Sequence, residues 1–266
     1  MSVSFRQAVC EPKEMNDILI NIKHLTKYFH NGDGNKCLVL ADINLKVFRG
    51  EVLSIIAPSG FGKSTFLNIL ASIDTPSSGN IEKPTDIDIG YMFQKEVLLP
   101  WRNVLNNILL GVEIKKKDAA SYRKRARQLL ECFELAGTER LYPHELSGGM
   151  HQRVGLIQSL IYDPSLLLLD EPFSSLDYVS KLKLEIELYK IIKSKNMTAI
   201  LVTHDIEEAI TLSDRIIFFR KRPLSQYEEF PVILAERDDP SKIRRSQVFT
   251  DLFSHFWNFF EKQKES

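Results

Sequence analysis

Hydrophobic residues on consecutive positions form five short runs between residues 52 and 219 of this 266-residue chain. A short run that is apolar at every position is typical of a strand buried on both faces, and the segments between these runs are helical in pattern. Strands alternating with helices predict an α/β fold built on a parallel sheet. The five predicted strands are Val52–Ile56, Ile87–Phe93, Leu166–Leu169, Thr198–Val202 and Ile216–Phe219.

Two additional units are predicted beside this sheet. The segments Ile18–Leu25 and Leu38–Val47 are strand-like and are separated by a turn-rich stretch at 30–35, which predicts a small antiparallel sheet. About 70 residues between the second and third apolar runs are rich in Leu, Lys, Arg and Glu, which favour helices. We therefore expect a helical subdomain inserted at about residues 95–162.

The pattern of hydrophobic and polar residues changes again after residue 220. Residues 18–230 are predicted to form the main domain, 1–17 an N-terminal tail, and 231–266 a C-terminal extension. Within the extension we expect a last strand at Phe230–Ala235, a break at 238–240 and an amphipathic helix at Gln247–Lys262. One stripe of that helix is apolar, which indicates packing against its own domain or, alternatively, a subunit contact or regulatory role. The stripe consists of Phe249, Leu252, Phe253, Phe256 and Phe260.

Composition narrows the function classes. The 35 basic and 35 acidic residues balance to a net charge of zero, so no global field favours nucleic acid as a partner. Three widely spaced cysteines without a C-x-x-C pair indicate neither a disulfide framework nor a zinc site, and fit a reducing cytosol. No segment resembles a signal peptide or a membrane span, so work at a membrane requires a partner.

The first predicted strand leads into a loop, residues 57–65, that has the features of a phosphate-binding loop. Its glycines and the start of the following helix present backbone N–H groups, Lys63 adds a positive charge, and the Ser64 hydroxyl suits Mg²⁺. The pattern is G-x-x-x-x-G-K-[ST], and we refer to this segment as the phosphate loop. Its predicted nucleotide-binding residues are Pro58, Ser59, Gly60, Phe61, Gly62, Lys63, Ser64 and Thr65.

The phosphate loop departs from the pattern at its first position, where Ala57 replaces glycine. Pro58 biases the preceding residue toward extended backbone with negative φ, in which alanine fits as well as glycine. If the position instead requires positive φ, an alanine costs about 1 kcal/mol or more and loosens the turn. We expect an active loop.

Polar side chains follow three of the other predicted strands, at the sheet edge where α/β proteins bind ligands. Gln94 follows the second strand, Asp170 and Glu171 the third, and His204 the fourth. Asp170 is placed to hold Mg²⁺ beside Ser64, and Glu171 is a natural general base. Two adjacent carboxylates would repel a polyphosphate unless a metal ion and Lys63 neutralised the charge. The pair therefore favours a site for Mg²⁺ and ATP over the alternative, a solvated Asp-Glu pair that opens a turn.

Ser147, Gly148 and Gly149 open a further predicted helix, and we call them the Ser-Gly-Gly segment. Ser147 is a good N-cap, and two glycines allow a phosphate to approach the backbone. The segment has neither a lysine nor a metal ligand of its own, so it is half of an anion site, or simply a capped helix with a glycine turn.

Taken together, the motifs occur in a recognisable order. Their order along the chain resembles that in the ATP-binding subunit of ABC transporters. The six motifs are Lys63-Ser64, Gln94, Leu146 to Gly149, Asp170-Glu171, Ser175-Leu176-Asp177 and His204. The resemblance covers about residues 18–220. It implies a P-loop NTPase with a RecA-like parallel sheet core, a small antiparallel β subdomain and an inserted helical subdomain, with ATP and Mg²⁺ as cofactors.

The resemblance also implies roles for individual residues. Two subunits would pair head to tail, so that the Ser-Gly-Gly segment of one chain meets the γ-phosphate held by Lys63 of the other. Gln94 would contact the Mg²⁺ shell, His204 the γ-phosphate, and Asp177 would lie across the dimer interface. Phe29 matches the aromatic residue that stacks on adenine, with Tyr28 as the stacker or both as core residues as the alternatives.

By the same resemblance, the partners are a second copy of the chain, integral-membrane permease subunits and, indirectly, a solute-binding protein, at the cytoplasmic face of the cell membrane. A soluble ABC-type ATPase of a non-transport assembly is the alternative. A phosphate-loop kinase is disfavoured by the Ser-Gly-Gly segment and His204.

A narrower resemblance follows Gln94. The segment 97–108 resembles, at 97–104 and 106–108, the same segment in one branch of the family, the importers for nitrate, sulfonates and taurine. That branch also contains importers of thiamine-precursor pyrimidines. Alternatively, Leu98–Trp101 is an apolar turn that docks the helical subdomain. His151 departs from the family pattern, which usually has Arg or Lys there, and this changes the local charge.

Overall fold

The computed structural model of the chain describes residues 18–30, 32, 34–95, 97–234, 237 and 240–264. The predicted N-terminal tail, 1–17, and the end of the predicted last strand at Ala235 lie outside the described residues. No helix in the described ranges combines the length and apolar character needed to cross a bilayer.

Nine strands and nine α-helices make up the described part of the chain. The strands are β1 Ile18–His30, β2 Lys36–Phe48, β3 Val52–Ile56, β4 Ser78–Glu82, β5 Ile89–Met92, β6 Leu166–Asp170, β7 Thr198–Thr203, β8 Arg215–Phe219 and β9 Tyr227–Pro231. The helices are α1 Lys63–Leu70, α2 Val104–Ile108, α3 Leu110–Ile114, α4 Ala119–Cys132, α5 Gly148–Leu160, α6 Tyr178–Ser194, α7 Ile206–Leu212, α8 Pro240–Arg245 and α9 Gln247–Lys264.

The larger sheet has the strand order β5-β6-β7-β3-β8-β9. Its first five strands run parallel, and β3, β6 and β7 are buried at every position. The five parallel strands match the five apolar runs of the sequence. Because β7 lies between β3 and β6, their carboxyl ends meet at one edge of the sheet, where the loops carrying functional side chains begin.

The smaller sheet is antiparallel, with β1 between β2 and β4. The sequence predicts its first two strands but not β4, because Ser78–Glu82 is largely exposed and carries no apolar run. Pairing with β2 also extends β1 to His30, five residues beyond the predicted end, since His30 still pairs with Lys36.

The last strand differs from its prediction. We expected Phe230–Ala235 in the C-terminal extension, but β9 spans Tyr227–Pro231 and pairs antiparallel with β8 as the edge of the larger sheet. The register is set by the pairing of Tyr227 with Phe219 and of Pro231 with Arg215. Proline has no N–H to donate, which suits an edge strand at its end.

The C-terminal helix α9 packs against its own domain. Phe249, Leu252 and Phe256 are buried in one cluster with Ile56 of β3 and Ile210 of α7. Trp257 lies off this stripe and is 49% exposed. The packing alternative for the predicted apolar stripe is therefore the one observed. Phe260, the fifth stripe residue, lies where side chains are not described.

Only helices and their connections separate β5 from β6 in the described residues, as expected for the inserted subdomain. Its buried residues Ile108, Phe133 and Val154 belong to the same apolar cluster as Leu167 and Leu169 of β6. The helical subdomain is thus packed directly on the larger sheet through α5.

Two carboxyl groups are buried where α6 packs against α7. Glu185 is 0% exposed and Glu208 is 2% exposed. Burial disfavours the charged form, so the pKa of Glu185 rises to about 7 and that of Glu208 to about 8, although Lys181 nearby opposes both shifts. The folded protein therefore binds these protons more tightly than the unfolded chain does. Its stability falls as pH rises and the protons are released.

This predicts a pH-dependent stability difference for Glu208→Gln. The folded pKa of Glu208, about 8, lies above its ordinary value of 4.5, so its contribution is full below pH 4.5 and is lost as pH rises through 8. Glutamine stays neutral and can still accept the Thr203 hydroxyl bond. The variant's melting temperature should therefore rise relative to wild type between about pH 4.5 and about pH 8, and the difference should level off above that.

The measurement is thermal unfolding of both proteins across that pH range, with the exposed Glu131→Gln as the matched control, which should track wild type. A melting-temperature difference for Glu208→Gln that stays constant with pH contradicts the prediction.

Candidate functional site

The phosphate loop turns between β3 and α1. Helix α1 has no side-chain cap and no acidic residue in its first turn, so its N-terminal N–H groups remain available to an anion. Gly62 precedes the helix with φ of 98°, and a Cβ there would lie 2.3 Å from Cγ1 of Val39. Only glycine fits this position without displacing β2.

Ala57 begins the phosphate loop without backbone strain. It is absent from the residues with positive φ, and its methyl group is fully buried in the cluster that includes Ile55 and Phe66. The structure therefore has the negative-φ backbone that suits alanine. Its carbonyl oxygen has a partner as well, because the Lys63 ammonium donates to it at 2.8 Å.

Lys63 is nearly buried at the start of α1. Its Nζ also donates to the Pro58 carbonyl at 3.2 Å and lies 3.7 Å from Oε1 of Glu171. Burial lowers the pKa of Lys63, while the carboxylates of Glu171 and Asp170 act in the opposite direction. Lys63 thus lies between the carbonyl oxygens of the phosphate loop and the Glu171 carboxylate at the edge of the larger sheet.

Glu171 is the point at which three strand ends converge. Its Oε1 lies 3.2 Å from Nδ1 of His204, after β7, and 3.7 Å from Lys63 Nζ, after β3. Its Oε2 accepts a hydrogen bond from Nε2 of Gln94, after β5, at 3.3 Å. All four residues predicted to be catalytic are therefore brought together around one nearly buried carboxylate.

The backbone of Glu171 is held in an unfavourable conformation, with φ of 52°. A non-glycine residue in the left-handed region costs about 1 to 3 kcal/mol, so surrounding contacts must maintain it. The Glu171 N–H donates to the Val202 carbonyl at 2.9 Å, and its carbonyl accepts from Nε2 of Gln152 at 3.0 Å.

Gln152 is a residue whose role the sequence analysis missed. It lies on α5 and is 1% exposed, and its side chain bonds Glu171, the Ser174 hydroxyl and the Ser175 N–H. It therefore ties the helix of the Ser-Gly-Gly segment to the loop after β6. A polar amide among the apolar positions of α5 was the available signal.

Asp170 ends β6 and is 3% exposed. Burial raises its pKa, and a hydrogen bond with the Ser64 side chain opposes that rise. The carboxylate and hydroxyl are hard oxygen donors, which suit Mg²⁺ bound by few protein ligands together with phosphates and water. Within the described residues no cluster of three or more His, Cys, Asp or Glu side chains is placed to hold a metal by itself.

The Ser-Gly-Gly segment starts α5 as predicted. The Ser147 hydroxyl accepts the N–H of Met150 at 3.3 Å, and Ser147 and Gly148 are exposed. His151 Nε2 donates to the Pro143 carbonyl at 2.7 Å, so this ring is engaged within its own subdomain. Within the described residues, no hydrogen bond or ion pair joins the Ser-Gly-Gly segment to the phosphate loop of the same chain.

Two further predicted residues lie apart from the Glu171 constellation. Asp177 is exposed and caps α6 by accepting the Ser180 N–H at 3.0 Å, which lowers the pKa of its carboxyl. Phe29, near the end of β1, is 41% exposed, with Lys27 Nζ 4.8 Å from its ring centroid. Tyr28 is half-buried, with Lys36 over its ring.

The segment after Gln94 presents apolar side chains to solvent. Trp101 is 73% exposed and Val97 is 61% exposed, whereas Leu98 packs against the helical subdomain. Buried Asn107 shapes this turn, since its side chain accepts the Leu99 N–H at 2.7 Å and donates to the Leu99 carbonyl at 3.1 Å. The turn thus both docks the subdomain and leaves an exposed tryptophan.

Comparison with known proteins agrees with this geometry. The family model described as ABC transporter matches residues 40–174. The chain is 39% identical over 259 residues to the uncharacterized ABC transporter ATP-binding protein YtlC of Bacillus subtilis, covering 93% of this chain and 98% of that protein.

The chain belongs to the ABC transporter family. It is also 42% identical over 197 residues to the aliphatic sulfonates import ATP-binding protein SsuB 1 of Rhodococcus jostii, covering 73% of this chain and 78% of that protein. The formylaminopyrimidine import ATP-binding protein ThiZ of Halalkalibacterium halodurans is 39% identical over 213 residues, which cover 80% of this chain and 83% of that protein. The predicted family resemblance is confirmed.

The fold of this ABC ATPase is confirmed by a solved structure. The dimeric ABC transporter cassette MJ0796 matches with a TM-score of 0.73 and 31% identity, over 81% of this chain and 99% of that one. A second structure of MJ0796, dimeric and described as a post-hydrolysis state, holds ADP and Pi. The predicted P-loop NTPase core with antiparallel and helical subdomains is therefore correct.

For the phosphate loop of this ABC ATPase, the structure predicts that Ala57→Gly changes ATP affinity by less than about twofold, because the native backbone already has negative φ. The free energy of unfolding should fall by about 1 kcal/mol, because a buried methyl group is lost and glycine raises the conformational entropy of the unfolded chain. Nucleotide titration and chemical unfolding measure the two effects. A large gain in ATP affinity would show that alanine impairs the loop.

Proposed function

We propose that this ABC ATPase hydrolyses MgATP at a site completed by a second copy of the chain, and thereby powers an importer for nitrate, sulfonate, taurine or a related small solute. The observation that supports this most is the convergence of Lys63, Gln94 and His204 on the Glu171 carboxylate. These groups supply a cation, an amide, an imidazole and a base within one site.

In this mechanism Glu171 is the general base. Its carboxylate takes the proton of the attacking water, and Gln94, whose amide bonds this carboxylate, helps to orient the water. Lys63 and His204 stabilise the negative charge that develops on the transferred phosphoryl group. Catalysis then depends mainly on positioning, and the hydrogen bonds to the strained Glu171 backbone provide it.

Asp170 and Ser64 would hold a Mg²⁺ ion, and Gln94 would contact its water shell. Mg²⁺, when bound, neutralises phosphate charge next to two adjacent carboxylates. The hydrogen bond between buried Asp170 and partly exposed Ser64 supports this assignment, since both are oxygen donors at the mouth of the phosphate loop.

The Ser-Gly-Gly segment supplies the other half of the site from a second chain. Its exposed helix start presents N–H groups suited to a γ-phosphate, yet within one chain it bonds to none of the phosphate-loop residues described. A head-to-tail dimer brings such a segment to Lys63 of the partner, with Asp177 at the interface. The dimeric state of the similar cassette MJ0796 supports this arrangement.

A membrane partner is supported by the exposed apolar residues near Gln94. Val97, Trp101 and Ile114 are each more than half exposed, and Val97 and Ile114 border a groove of about 280 Å³. Clustered exposed apolar residues mark interaction sites. In this proposal the groove receives a permease subunit. The chain then works on the cytoplasmic face of the membrane, and a solute-binding protein supplies the solute.

The catalytic assignment predicts that Glu171→Gln binds ATP but hydrolyses it at least about 100-fold more slowly, because the amide accepts no proton. Phosphate release and nucleotide titration measure the two properties. Lys63→Ala is the contrasting variant, and should bind ATP about tenfold or more weakly because a charge-assisted contact is lost. Hydrolysis by Glu171→Gln near the wild-type rate excludes Glu171 as the base.

The membrane assignment predicts that the tagged chain recovers an integral-membrane protein from detergent extracts, and that Trp101→Ser loses it because an exposed docking side chain is removed. Trp257→Ser, the other exposed tryptophan, is the matched control and should retain the partner. Recovery of soluble partners alone, unaffected by Trp101→Ser, would favour a soluble ABC-type ATPase instead.

A further inference from the structure

His204 is held by its neighbours in the chain rather than by burial. Its side chain is 54% exposed, and it lies between the end of β7 and the start of α7. The Asp205 N–H donates to the Thr203 hydroxyl at 3.0 Å, and the Asp205 carboxylate caps α7 by accepting the Glu208 N–H at 3.0 Å. The residues on both sides of His204 therefore fix its backbone.

Those two residues are in turn held by a buried charge cluster. Lys181 of α6 donates to the Asp205 carboxylate, and its Nζ lies 3.7 Å from a carboxylate oxygen of Glu185 and 3.7 Å from one of Glu208. The Thr203 hydroxyl bonds Oε2 of Glu208 at 3.1 Å. The cluster thus reaches both Thr203 and Asp205.

Arg244 of α8 extends the cluster to the C-terminal segment. Its guanidinium lies 3.0 Å from a carboxylate oxygen of Glu207 and 3.9 Å from one of Glu185, and it lies 5.2 Å from the Tyr178 ring centroid. Tyr178 begins α6, directly after Asp177. One side chain from beyond residue 240 therefore links the helices that follow Asp177 and His204.

The cluster also borders the catalytic carboxylate. A cavity of about 240 Å³ is lined by Glu171, Lys181, Asp205 and Glu208, together with His204. Neither carboxylate oxygen of Glu185, and only one of Glu208, has a hydrogen-bond partner, so these buried groups depend on the two cations. A partly satisfied buried network is sensitive to the loss of any member.

We propose that Lys181 and Arg244 are positioning residues for hydrolysis, which hold His204 against Glu171 through the buried carboxylates of α6 and α7. Through Arg244, the C-terminal segment then sets the rate of the chemical step without contacting nucleotide. This inference rests on the proposed function, because it assigns His204 to the reaction.

The direct test is Arg244→Met against Arg245→Met, its exposed neighbour in the same helix. Arg244→Met should lower kcat for ATP hydrolysis by about tenfold, the scale of a small misplacement of a catalytic group, with KM and nucleotide affinity little changed. Arg244→Lys should restore part of the loss, and Arg245→Met should match wild type.

Lys181→Met alone can fail to fold because it leaves buried carboxylates unpaired. The combined variant Lys181→Met with Glu208→Gln replaces Lys181 together with one of the buried carboxyl groups that it contacts, and its melting temperature shows whether it is folded. We expect a folded protein that binds ATP and has reduced kcat.

A wild-type kcat in Arg244→Met overturns the inference. An equal fall in kcat in Arg245→Met also overturns it, as does an Arg244→Met variant in which only nucleotide affinity falls. If Glu171→Gln itself retains wild-type hydrolysis, the proposed function fails instead, so the two failures are distinguishable.

Discussion

The placement of one carboxylate constrains much of this molecule. Glu171 has a left-handed backbone directly after a buried strand, and its side chain meets Lys63, His204 and Gln94. Parallel pairing of β6 with β7 and of β7 with β3 brings those groups to one edge, and Gln152 holds the strained turn from the helical subdomain. A shift of any of these elements moves the Glu171 carboxylate away from Lys63, His204 and Gln94.

Much of this arrangement is predictable from the sequence, because strands buried on both faces are apolar at every position. Val52–Ile56 and Leu166–Leu169 appear directly as runs, and the residues that follow them must share an edge. The phosphate loop is equally readable, since its chemistry depends on backbone N–H groups and one lysine within a fixed spacing. The family comparison confirms what these motifs indicate.

The remainder depends on contacts that no local pattern encodes. Strand β4 is exposed and polar, so only its pairing with β1 makes it a strand. The bounds of β9 are set by register with β8. The contact of Gln152 with Glu171 spans 19 residues of the chain, and that of Lys181 with Asp205 spans 24. The negative φ of Ala57 resolves an ambiguity that its sequence context alone leaves open.

The central proposal is that each site needs two chains, because no hydrogen bond or ion pair among the described residues joins the Ser-Gly-Gly segment to the phosphate loop of the same chain. Sedimentation velocity of Glu171→Gln with MgATP tests it most directly, with a second variant that adds Ser147→Arg to block the segment by bulk and charge. The account predicts an ATP-dependent dimer for Glu171→Gln and a monomer for the combined variant. A Glu171→Gln protein that binds MgATP and stays monomeric would contradict it.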